Sequence, residues 1–198
     1  ISSGNSVTAG GDISLVGGTS QTSEGGDVSI SAGAGLTTGG DVTVSGGSGT
    51  GFGGTVRVMG GSSDTGSSGE VIIESMSADH STGSVMVKTG SSTEKRSGAI
   101  DIGTGASESD QAGSISLTVG DSELSGGSIA LTAGKSFSDA GGSISLMSGE
   151  STSASSSSGS VDISSASSAT ETGFLLLRSG DSTEKRSGAI DIGTGASE

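Results

Sequence analysis

Aliphatic residues return along this chain at a fixed interval. One column runs through Ile13, Val28, Val42, Val56, Val71, Val85, Ile100, Ile115, Ile129, Ile144, Val161, Leu175 and Ile190. A second follows two residues later at Leu15, Ile30, Val44, Val58, Ile73, Val87, Ile102, Leu117, Leu131, Leu146, Ile163, Leu177 and Ile192. The step is 14 or 15 residues, with a single 17. Alternation at spacing two predicts a strand with one buried face. A strand of about five residues cannot cover that face by itself, so successive copies are expected to stack. The fold class this predicts is all-β: a parallel β-solenoid (β-helix) of 14–15-residue coils, about 13 of them and without helix, running through residues 1–198 as a single continuous domain. Coils would lie about 4.8 Å apart.

A third column stands three residues after the second and is almost all glycine: Gly18, Gly33, Gly47, Gly61, Gly90, Gly105, Gly120, Gly134, Gly149, Gly180 and Gly195, with Met76 and Ala166 as the departures. Glycine at a corner suggests positive φ or close backbone approach. The residues between phrases are rich in Ser, Thr and Gly. Apolar plugs at Val7, Leu36, Phe52, Leu124 and Phe137 are expected to close the core from the opposite wall. "STEKRSGAIDIGTGASE" occurs at 92–108 and again, unchanged, at 182–198, within duplicated blocks 82–108 and 172–198. Such identity suggests a window on a longer tandem array.

Composition pulls the other way. Leu, Ile, Val and Phe supply 37 of 198 residues, glycine supplies 40, and the net charge is -14, a combination typical of chains that stay disordered. A disordered chain has no reason to hold a register over 13 copies, so the periodicity is given the greater weight. With no cysteine, disulfides and thiolate metal sites are excluded.

Candidate chemistry is sparse. Asp12, Asp27 and Asp41 would stack on consecutive coils, where they form either a weak Ca²⁺-binding stripe or simply a solvated acidic one. Ile72, Met86 and Leu176 fall in the column meant to face water, and with Phe174 they mark candidate assembly contacts. Lys95-Arg96 and Lys185-Arg186 lie in loops of the duplicated blocks, opposite in charge to the wholly acidic residues 1–50 of another copy.

Enzyme signatures fail. "GTGFGG" at 49–54 meets the dinucleotide-binding spacing but is followed by no helix pattern, and Ile129 stands where a phosphate-binding loop needs its first glycine. His80 has neither a second ligand nor a nucleophile beside it. The reading is therefore not an enzyme, with no cofactor other than weakly bound Ca²⁺. Net charge argues against nucleic acid and anionic membranes as partners, and no membrane-spanning segment is visible. Self-association, polysaccharide and O-linked sugar on the Ser/Thr-rich loops remain open.

"GGSISLMSG" (141–149) and "SGSVDISSAS" (158–167), set among Ser/Gly/Ala loops, resemble the long Gly/Ser-rich tandem-repeat proteins of microalgae and protists. That resemblance implies an extracellular or flagellar-hair fibre. Coil length is also similar to ryegrass-type ice-binding solenoids, but the column between the ladders reads Ser14, Ser29, Thr43, Arg57, Ile72, Met86, Asp101, a poor array for ice. Calcium-binding RTX repeats are similar in their glycine and aspartate content, whereas here Asp follows the glycine pair directly. The expected function is a rod-like structural segment of an extracellular, cell-surface filament, with an ice-binding or adhesin-type surface protein as the alternative.

Overall fold

The computed structural model describes residues 1–196, and among them there is neither strand nor helix. The β-solenoid expected from the alternation is not formed. No stack of coils exists, approaches between residues twelve or more positions apart are few, and the described residues contain no buried apolar core. All 37 large aliphatic and phenylalanine residues are exposed.

The reason lies in what each phrase can cover. First-column residues are about half-covered, Val56 at 49% and Val28 at 55% exposure, but the second column is more open, Val44 at 74% and Ile102 at 75%. No opposite wall arrives: the plugs Val7, Leu36, Phe52, Leu124 and Phe137 stand at or beside the loop bends, all but fully exposed. Burial on that scale cannot offset about 1–2 kcal/mol of backbone entropy for every residue fixed. The total surface is 20135 Å², against about 8,200 Å² for a compact protein of this mass.

What the chain does form is local. Proximity divides it into two units, Ile1–Asp101 and Ile102–Glu198. In the first unit, a backbone bond pinches the chain into a loop at five places: the N–H groups of Gly11, Gly26, Gly40, Gly54 and Gly69 donate to the carbonyls of Gly4, Gly18, Gly33, Gly47 and Gly61 over 2.8–3.0 Å. In the second unit, Gly142 donates to Gly134 and Gly159 to Gly149, each over 2.9 Å. Between necks, each loop turns through a bend, such as 21–23, 64–66 or 93–95.

Candidate functional site: glycine necks and serine-capped loops

The acceptor at every closed neck that follows a phrase belongs to the glycine column read from the sequence as a corner. Its expected reason is corrected by the geometry. No residue with positive φ occurs among the described residues, and a Cβ at Gly18, Gly33, Gly47, Gly61, Gly134 or Gly149 would meet nothing within 4 Å. Those positions have room for a side chain, which is why Met76 and Ala166 can stand in the column.

Close approach falls instead on the residue before the acceptor, where a Cβ at Gly17, Gly46 or Gly60 would run into the carbonyl oxygen of Gly26, Gly54 or Gly69, and on the facing glycine. A Cβ at Gly26 would lie 3.0 Å from the backbone nitrogen of Gly18, at Gly54 2.9 Å from that of Gly47, and at Gly69 3.1 Å from that of Gly61. These donors belong to a column two residues ahead of the first aliphatic: Gly11, Gly26, Gly40, Gly54, Gly69, Gly83, Gly98, Gly113, Gly127, Gly142, Gly159, Gly173 and Gly188. It is glycine in every copy, a column that the alternation of apolar and polar residues does not single out.

Every closed neck has a small residue just before the acceptor. Closed necks carry Ser3, Gly17, Ala32, Gly46, Gly60, Ala133 or Ser148 there. Open ones include Thr89, Thr104 and Val119, whose γ carbons come to 3.5, 3.5 and 2.7 Å of where a Cβ on Gly98, Gly113 and Gly127 would sit. The Val119 side chain therefore wedges its neck apart, while the two threonines stand at ordinary van der Waals distance. Two further open necks, at Gly83 and Gly173, have Met76 and Ala166 in place of the acceptor glycine. Nothing in the structure explains why Gly188 does not donate to Gly180.

A second unread column caps the loops. Serine stands two residues after the corner position at Ser6, Ser20, Ser63, Ser92, Ser107, Ser122, Ser136, Ser151, Ser168 and Ser182. Its hydroxyl accepts from a backbone N–H further along the loop: Ser63 Oγ from Gly66 at 2.9 Å, Ser20 Oγ from Ser23 at 3.0 Å, Ser136 Oγ from Asp139 at 3.0 Å, and Ser92 and Ser182 from Lys95 and Lys185 at 3.1 Å. Such local bonds give the backbone an alternative to sheet ladders. Gly35 and Gly49 replace the serine in two loops, where an added Cβ would run into the carbonyl oxygens of Thr38 and Phe52.

The residues singled out for chemistry are dispersed. Asp12, Asp27 and Asp41 are exposed, each directly after a neck donor, and no group of three or more His, Asp or Glu placed to hold a metal occurs among the described residues. Without stacked coils, the register that would have aligned these carboxylates does not arise. Ile72, Met86, Phe174 and Leu176 are exposed, but so are their neighbours in the ladder, so the inward and outward faces expected from alternation are not distinct. Lys95, Arg96, Lys185 and Arg186 are exposed at loop bends or just beyond them. His80 occupies a bend at 79–80. Lys135 places its ammonium 4.7 Å from the centroid of the Phe137 ring, a cation–π contact within one loop.

No cavity is enclosed among the described residues, and none of their helices could span a membrane, since they form none. No protein-family model matches the chain, and comparison with curated proteins and with solved structures finds no match either.

Proposed function

We propose that this chain is a structural segment of an extracellular fibre or surface coat, and that its principal partner is another copy of itself. The observation that carries the reading is repetition: a neck glycine and a pair of aliphatics recur at a 14–15-residue step, with a capping serine in most copies, and no copy brings together a nucleophile, a base and an orienting group. Function then belongs to the array. The aliphatic pairs, open to water at a regular interval, favour association along the chain, since apolar surface left uncovered by one copy is available to the next. The acidic residues 1–50 and the paired basic loops add charge complementarity between copies. Exposed Ser and Thr hydroxyls on the loops suit O-linked sugar, which would hydrate such a coat.

Replacing Ile72 and Leu176 by Ser tests the reading, because each removes an aliphatic from a run of neighbours. Burying such a side chain contributes about 1.5–3 kcal/mol, so each replacement is expected to weaken self-association about tenfold or more. Sedimentation at graded concentrations would register the change. Assemblies of unchanged strength, or a chain monomeric throughout, would overturn it.

A further inference from the structure

We infer that the two Lys-Arg loops are processing sites, at which an endopeptidase with acidic pockets for two successive cations cuts the array into 90-residue lengths. Lys95-Arg96 and Lys185-Arg186 are the only adjacent basic residues in the chain, and they stand 90 positions apart in the same loop sequence. Both pairs are exposed, at or beside the bends 93–95 and 183–185. The loops that carry them are open at the neck: neither Gly98 nor Gly188 donates to its facing glycine, and a Cβ at Gly188 would meet nothing within 4 Å.

Openness matters because a protease binds its substrate as a locally unfolded strand of several residues, which exposed loop tips supply most readily. The only local bond to be given up is the serine cap, Lys95 N–H to Ser92 Oγ or Lys185 N–H to Ser182 Oγ, both on the surface. Lys135 provides the contrast. It too lies in a loop, but that loop is closed by Gly142 donating to Gly134, and its ammonium is engaged over the Phe137 ring.

The step is amide hydrolysis. Water adds to the carbonyl carbon of Arg96, the bond from that carbon to the Ser97 nitrogen breaks, the nitrogen takes a proton and leaves as a new amino terminus, and Arg96 keeps a carboxylate. The same cut at Arg186–Ser187 releases residues 97–186. The products 97–186 and 187–198 would both begin with Ser-Gly-Ala-Ile-Asp-Ile, and 1–96 and 97–186 would both end in Lys-Arg.

The test treats the intact chain with a serine endoprotease of paired-basic specificity and, separately, with limiting trypsin, and identifies the products by mass spectrometry over time. The first enzyme should yield 1–96, 97–186 and 187–198, with Arg96→Ala and Arg186→Ala each removing one cut. Trypsin, which needs only one cation, should open the paired loops about fivefold faster than Lys135, the advantage expected where one backbone bond no longer closes the neck. A chain left whole by the paired-basic enzyme, or one that trypsin cuts at Lys135 as fast as at Arg96 and Arg186, would overturn the inference.

Discussion

Heated or titrated with urea, the chain is expected to pass through no cooperative unfolding transition. Cooperativity comes from a core that is lost all at once, and among the described residues none is buried. An unfolded chain of this mass exposes about 26,800 Å², so the 20135 Å² seen here means that only about a quarter of the surface is covered, where a compact domain of this size covers about 70%. The dependence of free energy on urea scales with the area newly exposed and should be about a third of that for an ordinary domain of equal length. Calorimetry should show no peak approaching the usual ~0.7 kcal/mol per residue. Far-UV circular dichroism should lack a β-sheet band and drift gradually with temperature. A sharp peak of ordinary enthalpy, or a sheet spectrum lost in one step, would mean that the aliphatic columns do stack.

The period was legible in the sequence, and the structure keeps it: necks, caps and bends all fall on the 14–15-residue step set by the aliphatic ladders. The sheet inferred from that period was not there. Alternation such as Val28-Ser29-Ile30 defines a buried face only if something lies opposite, and the residues meant to lie opposite, Leu36 and Phe52 among them, stand free at loop tips. The low aliphatic content and the charge of -14 were the better guide to burial, because they limit how much area any arrangement could cover. The site escaped notice for a different reason. A neck glycine such as Gly26 acts through the absence of a side chain against a backbone eight residues earlier, and a cap such as Ser63 through one hydroxyl; neither alters a hydrophobic pattern. Both were visible in the same alignment, as a glycine two places before the first ladder in every copy and a serine two places after most corners.

The neck geometry leads to a paired prediction with opposite signs. Gly26→Val puts a branched side chain where a Cβ would already lie 3.0 Å from the nitrogen of Gly18, so the two backbones must part and the 2.8 Å bond from Gly26 N–H is lost. A surface backbone bond contributes about 1 kcal/mol, and its loss should leave the residue-26 amide about fivefold less protected from hydrogen exchange. Val119→Gly does the reverse. Its Cγ1 is the wedge 2.7 Å from the Cβ position of Gly127, and removing it gives that neck the same small residue found at Gly17, Gly46 and Gly60. The Gly127 amide should then gain about the protection that residue 26 loses. Gly18→Ala tests why the neck beside Ala166 stands open: a Cβ at Gly18 would meet nothing within 4 Å, so close approach alone leaves the Gly26 amide exchanging as before. If Gly18→Ala were as damaging as Gly26→Val, conformational freedom at the corner, and not close approach at the neck, would be what glycine supplies. Equal exchange at residue 26 in all three proteins would mean that no neck is closed in solution.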